Sequence, residues 1–297
     1  MLLTDLSKRN LIHPPRWLPQ NTVLLMIMGS QAYGVNNDDS DQDIYGVCIP
    51  PRELVFPHLA GEIPGFGTQI QRFDVWSEHR IQDPNKKVEH DFSVYSIVKY
   101  LQLCMDNNPN MIDSLFIPRN CIIHSTAIGE MIREKRQTFL HKGAWHKFKG
   151  YAYSMSSKIR NRVNSSNPKR AAQIAKFGYD LKFAYHCVRL MNEVEQILIE
   201  GDLDLQRNRE QLKSIRRGEW TLEEFEAYFT NKERALETAY AESKLPHGPD
   251  EAAIRELLLS ALEHHYGSLE AAVARAPELD SLVRDMEEVL ARYRSVS

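Results

Sequence analysis

The sequence predicts an α+β fold: a small α/β domain over residues 1–140, followed by an all-helical region over residues 141–297. Three observations predict it. Short apolar runs bounded by Gly, Pro or Asp occur before residue 100, which is how strands are written. Helical spacing of apolar residues dominates from His141 onward. The chain has 297 residues, 42% apolar and 26% charged, an ordinary globular composition with enough apolar side chains for a sizeable core.

"TVLLMIM" (Thr22–Met28) is apolar throughout after its threonine and ends at Gly29, so it reads as a buried strand. "DIYGVCIP" (Asp43–Pro50) reads as a second strand, closed by Pro50-Pro51. Residues 51–87 are rich in Pro and Gly and read as irregular, with a hairpin around "TQIQRFDVW" (Thr68–Trp76). In "VEHDFSVYSI", Val88, His90, Phe92 and Val94 alternate with Glu89, Asp91, Ser93 and Tyr95, the period of a strand with two unlike faces. No further strand is read. A helix over Ser96–Met105 stops at "NNPN", "MIDSLF" is a short helical turn, and Thr126–Phe139 is another helix.

The second half reads as helices over Ala144–Val163, Pro168–Ile199, Leu222–Ala241, Glu251–His265 and Leu279–Arg294. Pro168 suits a first helical turn, and "TLEE" (Thr221–Glu224) is a capping box. "KLPHGPD" (Lys244–Asp250) is the linker candidate.

A net charge of −3 gives no global basic bias toward nucleic acid. The four cysteines are scattered without a CxxC pair, which argues against a disulfide framework or a structural zinc site and for reduced thiols in the cytoplasm. The N-terminus lacks the apolar segment of a signal peptide, and the longest apolar run, "VLLMIM", is too short to span a bilayer, so no membrane is expected.

The most informative stretch is "MGSQAYGVNNDDSDQDIYGV" (Met28–Val47), which sets Asp38, Asp39, Asp41 and Asp43 directly behind an apolar strand. Crowded carboxylates disfavour one another's ionisation, so a cation is expected there. A calcium loop starting at Asp39 fails, because Ile44 stands where Gly is needed and Pro50 where Glu is needed. A polar turn accounts for Asn36–Ser40 but not for Asp41 and Asp43. Gly29 lets a phosphate approach the backbone, and Ser30 offers a hydroxyl and an amide near an expected helix start, the elements of an anion site. Asp41 and Asp43, two apart on a strand, share a face. Oxygen donors beside phosphate favour Mg²⁺, with Mn²⁺ as its substitute. Asp91 is placed to supply a third carboxylate, and Glu89 shares its parity.

On the helix read over Pro168–Ile199, Phe177, Leu181, Ala184, Val188, Met191 and Leu198 form a core stripe. Tyr179, Lys182, His186, Arg189 and Glu193 fall on a second stripe. That stripe is either a solvated face with helix-spaced ion pairs or a set of cations turned toward the α/β domain to neutralise a triphosphate. Arg216 and Arg217 read either as a basic patch for an acceptor or as part of a turn with Gly218, and Trp145, Tyr151 and Tyr153 read as core or rim.

Apolar-Gly-Ser, ten residues, then Asp-x-Asp resembles the signature of the DNA polymerase β-like nucleotidyltransferase superfamily. The match is closer to the bacterial and phage family called predicted nucleotidyltransferases. "GSQAYGVNNDDSDQDIYGVCIPP" resembles its first block, and "DFSVYSIVKYLQLCMDNNPNMIDSLFIP" its second, with Asp91, Lys99, Asn108-Pro109 and Asp113 at the block's positions. "KFGYDLKFAYHCVRLMNEVEQIL" and "SIRRGEW" are similar to its helical blocks. The likeness covers most of Val23–Trp220, with Gln42 standing where many members carry an apolar residue.

The resemblance implies a small mixed sheet of polymerase β type followed by helices. It implies phosphates at Gly29 and Ser30, metal at Asp41 and Asp43, and Asp91 rather than Glu89 as the third ligand. The activity expected is Mg²⁺-dependent transfer of a nucleoside monophosphate from an NTP, with ATP as the expected donor. The acceptor (RNA or tRNA, protein or small molecule) does not carry over. Two other classes stay open: a nucleotide-binding regulatory or antitoxin-like module with little turnover, and a nucleic-acid-binding scaffold.

Overall fold

The structure is a computed structural model that describes residues 1–36, 41–56, 59, 72–85, 88–161 and 168–273. The fold is α+β. The chain divides into two compact units, Met1–Ile49 with Asp74–Leu258, and Pro50–Phe73 with Leu259–Ser297.

In the first unit, strands β1 (Thr22–Ile27), β2 (Gln42–Cys48), β3 (Val75–Asp83), β4 (Val88–Ser96) and β5 (Ile122–Ser125) form one sheet among the described residues, in the order β3-β4-β2-β1-β5. The sheet is mixed. β2 and β4 are parallel, and the other neighbours are antiparallel. β1 lies between β2 and β5 and is buried along nearly its whole length, which is why its sequence is continuously apolar. β4 keeps the expected alternation: His90, Phe92, Val94 and Ser96 are buried, and Glu89, Asp91, Ser93 and Tyr95 are half-buried on the other face.

Helices α1 (Leu2–Lys8) and α2 (Leu18–Asn21) precede the sheet, and α3 (Arg52–Val55) belongs to the second unit. α4 (Ile97–Met105) starts where Ser96 accepts from the Lys99 amide, and α5 (Pro109–Leu115) where Asn108 caps and Pro109 fills the first position. Then follow α6 (Ala127–Glu134), α7 (Gly143–Arg160), α8 (Pro168–Phe177), α9 (Leu181–Glu200), α10 (Arg209–Arg216), α11 (Leu222–Glu242), α12 (Glu251–Tyr266) and α13 (Leu269–Val273). The core of this unit runs from the sheet through Phe139, Phe148, Cys187, Val188 and Met191 to Phe225. In the second unit, Tyr266 donates its hydroxyl to the Pro50 carbonyl at 2.5 Å and packs against the Phe56 ring.

Several expectations need correction. The single helix read over Pro168–Ile199 is two helices. Gly178 turns left-handed at φ +80° and Asp180 caps α9 by accepting from the Phe183 amide, so two local signals outrank continuous apolar spacing. β5 escapes the periodicity reading because "IIHS" is only four residues long, and α10 because its segment is strongly polar. Thr126–Phe139 is α6, N-capped by Thr126, followed by a 3-10 turn over Arg136–Phe139. The expected helix start after Gly29-Ser30 is a turn. Val75–Asp83, most of it read as part of an irregular stretch, is strand β3, paired antiparallel with β4. Thr68–Gln71 of the hairpin expected around Thr68–Trp76 and the helix expected over Leu279–Arg294 lie outside the described residues. The Thr221–Glu224 capping box has both of its hydrogen bonds. The linker candidate lies in the non-helical stretch between α11 and α12, where the Pro246 carbonyl accepts from the Lys142 amide at 2.8 Å. No described helix is long and apolar enough to cross a membrane.

Candidate functional site

The parallel pairing of β2 and β4 sets Asp43 opposite Asp91 in register. Adjacent strands lie about 4.8 Å apart, so the two side chains project side by side from one face of the sheet. Asp41, just before β2, lines the same cleft. The Met28 amide donates to the Asp43 carbonyl at 2.7 Å, which extends the β1–β2 ladder up to the site.

At Gly29 the chain turns sharply, with φ +66°. A Cβ built there would lie 2.2 Å from Asp43 Oδ2. Glycine is therefore required twice over, by the left-handed backbone and by the carboxylate occupying that space. The turn closes on itself: Tyr33 N donates to Gly29 O at 3.3 Å, Gly34 N to Gln31 O at 3.1 Å, and Val35 N to Ser30 O at 2.9 Å.

Asp91 is oriented by an irregularity in β3. The β3–β4 register shifts between Glu78 and Ile81, and Arg80 within that bulge is left-handed at φ +59°. Its amide donates to Asp91 Oδ1 at 2.7 Å, and His79 Nδ1 lies 3.6 Å from the same oxygen. Glu89, the parity-matched acid, hydrogen-bonds Gln82 and does not line the cleft.

The cleft has a volume of about 690 Å³. The β-strand side contributes Gly29, Ser30, Asp41, Asp43 and Asp91, while α9 and α10 contribute Lys182, His186, Lys213 and Arg216, and Arg217 follows α10. Gln173 and Tyr185 line it as well.

The electrostatics follow from this composition. Burial first, then the neighbouring charges of Asp91 and Asp41, push the Asp43 carboxyl above the usual range, and Lys182 and His79 oppose the rise. Burial, then Arg189, Lys182, Arg170 and Arg216, drive His186 well below the ordinary histidine range, so its imidazole is neutral at physiological pH. Its Nδ1 is buried and has no hydrogen-bond partner among the described residues. Burial raises Tyr185 to about 12.

The expected second stripe is not one exposed face. Lys182 is exposed and reaches the cleft, whereas Tyr179, Arg189 and Glu193 are buried. Arg189, read as a phosphate ligand, does not line the cleft; its guanidinium pairs with Asp113 and Glu193 and stacks over the Tyr33 ring at 4.3 Å. Acids on α5 and one turn along α9 capture it before it can face solvent. Of the aromatics, Trp145 is core, while Tyr151 and Tyr153 are exposed on α7.

Of the remaining cleft cations, the sequence leaves Arg216 and Arg217 open between a basic patch and a turn, and Lys213 is missed. Their signal is the spacing of three and four residues, which brings them to one side of a short polar helix. His79 and Arg80 had no signal, because a bulge is a property of the strand pair.

Cleft chemistry fits a hard divalent cation: the acidic donors are carboxylate oxygens, and Asp43 is poorly stabilised as an anion without an added positive charge. Among the described residues, no group of three or more His, Cys, Asp and Glu is already gathered closely enough to hold a metal.

The model of a family described as the RNA repair pathway DNA polymerase beta family matches residues 8–285. Among solved structures, the chain is similar to a nucleotidyltransferase-like protein from Exiguobacterium sibiricum 255-15. The identity is 8%, the match covers 88% of this chain and 78% of that one, and the TM-score is 0.28. No curated protein matches the chain.

Proposed function

Because the chain belongs to the RNA repair pathway DNA polymerase beta family, we propose that it transfers a nucleoside monophosphate from an NTP, ATP being the expected donor, to a hydroxyl at an RNA end. The acceptor oxygen forms a bond to the α-phosphorus, the bond from that phosphorus to the bridging oxygen of the β-phosphate breaks, and pyrophosphate leaves. The observation that carries this reading is one cleft in which Asp41, Asp43 and Asp91 meet Lys182, Lys213, Arg216 and Arg217. RNA as the acceptor rests on the family's description alone.

Asp41, Asp43 and Asp91 would hold Mg²⁺ or Mn²⁺, which would offset the triphosphate charge and polarise the α-phosphorus. Gly29 and Ser30 would receive the β- and γ-phosphates on the turn between β1 and β2, where Gly29 presents no side chain. Asp91, held at Oδ1 by the Arg80 amide, would take the acceptor's proton. Lys182 and the α10 cations would stabilise the departing pyrophosphate, whose charge grows in the transition state. The neutral His186 would offer a hydrogen bond in the cleft without adding charge.

The test supplies α-labelled ATP, GTP, CTP and UTP with Mg²⁺ to the full chain, together with RNA ends, tRNA, protein and small hydroxyl acceptors. The expected result is label on RNA with matching pyrophosphate release. Asp41→Asn, Asp43→Asn and Asp91→Asn should each lower it by about 100-fold or more, to a small residual rate, while circular dichroism stays unchanged. NTP binding without pyrophosphate release would replace this reading with a regulatory nucleotide-binding module. RNA binding that is steeply salt-dependent and indifferent to the aspartates would point to a scaffold.

A further inference from the structure

The turn carrying Gly29 and Ser30 is held from outside at nearly successive residues. Gln206 Nε2 donates to the Ala32 carbonyl at 3.1 Å, and Arg216 donates to the Val35 carbonyl. Between these two, the Tyr33 hydroxyl donates to Asp113 Oδ2 at 2.7 Å. This middle attachment differs in kind. Tyr33, Asp113, Arg189 and Glu193 are all at most 4% exposed. The Arg189 guanidinium lies over the Tyr33 ring, bonds Asp113 Oδ2, and reaches Glu193 Oε1 and Oε2 at 3.0 and 2.9 Å. Three segments far apart in sequence therefore meet in one buried charged cluster: the turn, α5 and α9.

None of these four residues lines the cleft. Two of the turn's backbone bonds connect the cluster to it. Tyr33 N donates to Gly29 O, and Val35 N donates to Ser30 O. A displacement of Tyr33 thus pulls on Gly29 directly and on Ser30 through the neighbouring Val35, and Gly29, Ser30 and Val35 all line the cleft. An apolar contact would let the turn slide at little cost. A buried ion cluster does not, because each small shift leaves a carboxylate or guanidinium without its partner in a medium that cannot solvate it.

We propose that Arg189, acting through Asp113 and Tyr33, is a positioning residue for the nucleotide: it locks the Gly29–Val35 turn in the one arrangement that receives the triphosphate. This rests on the nucleotidyl-transfer reading of the cleft. Asp113 is the bridge, since it touches both the guanidinium and the turn's tyrosine. Glu193 touches Arg189 from its own helix and makes no hydrogen bond to the turn among the described residues.

Glu193 therefore supplies the internal control. Tyr33→Phe, Asp113→Asn and Glu193→Gln all alter the same buried cluster, but only the first two change the hydrogen bond that ties it to the turn. Each full-length variant is assayed for its melting temperature, its KM and kcat with ATP and Mg²⁺, and its Kd for a non-hydrolysable ATP analogue. Tyr33→Phe and Asp113→Asn should raise KM and Kd about tenfold or more, as expected when a binding element is misplaced. Glu193→Gln should keep both within about twofold, whatever its melting temperature.

Tyr33→Phe removes one oxygen and leaves the Arg189–Asp113 pair intact, so it decides the matter even if Asp113→Asn does not fold. An unchanged Kd in Tyr33→Phe overturns the proposal. So does a Kd that rises as much in Glu193→Gln, because the effect would then follow cluster stability and not contact with the turn. If the wild-type chain itself neither binds the analogue nor transfers nucleotide, the reading of the cleft fails and the proposal falls with it. If the wild type does both and the variants match it, the positioning role alone is wrong.

Discussion

Replacing Gly29 with alanine tests the centre of the site with a single methyl group. The added Cβ would meet Asp43 Oδ2 at 2.2 Å, whereas ordinary van der Waals contact begins near 3.4 Å. One of the two must give way by roughly 1.2 Å, since overlap on that scale is strongly repulsive. Gly29 is also left-handed at φ +66°, where an L-residue costs about 1–2 kcal/mol. The stability loss should therefore be modest, a fall in melting temperature of about 2–6 °C for a chain of this size. The catalytic loss should be much larger, because a carboxylate misplaced by about 1 Å can lower the rate by roughly 100-fold.

The assay is steady-state transfer from labelled ATP, run beside a thermal melt. A double variant of Gly29→Ala with Asp43→Asn closes the test: if the methyl acts by displacing Asp43, it should add little to the loss already caused by Asp43→Asn. Near wild-type turnover in Gly29→Ala, with the fold intact, would refute the claim that Asp43 works from the position it holds here.

Three further outcomes follow from the same geometry. The raised Asp43 carboxyl keeps its proton to a higher pH in the folded chain than in the unfolded one, so it lowers folded stability once pH rises above its unfolded value of 3.8. Asp43→Asn should accordingly raise the melting temperature at neutral pH without divalent cations, and the gain should vanish as pH falls to 3.8; a lower melting temperature at neutral pH would contradict this. His186, held neutral far below its ordinary 6.5, leaves the unfolded chain to bind the extra proton, so stability should fall as pH drops below about 6.5. Urea titrations between pH 5 and 7 should show a flatter dependence in His186→Asn, and parallel curves would count against the assignment. Asp180→Ala removes a buried cap that accepts from the Phe183 amide at 3.1 Å and pairs with Arg170 at 2.7 Å. It should cost about 2–3 kcal/mol by urea denaturation, and a change below about 0.5 kcal/mol would show that α9 does not depend on it.

Much of the sheet is legible because burial leaves a pattern in the chain. β1 is apolar because both of its faces are buried, and β4 alternates because only one of its faces is. The same rules group Asp41 with Asp43 by a spacing of two. The helical half is less legible. Apolar spacing runs unbroken through "KFGYDLKFAY", and the break is marked only by a left-handed glycine and a capping aspartate.

Local chemistry alone determined that carboxylates crowd behind an apolar strand, that a glycine must precede them, and that cations recur along the helices. Periodicity reads which residues share a face of one element, since that depends only on backbone geometry. It cannot read which element that face meets. Lys182 and Arg189 lie seven residues apart on one helix, yet Lys182 reaches the cleft and Arg189 is buried against Asp113. The carboxylates on α5 and α9 make the difference, and their proximity is set by packing across distant segments. Likewise the amide that steers Asp91 comes from a bulge in β3, which exists only once β3 and β4 have paired out of register.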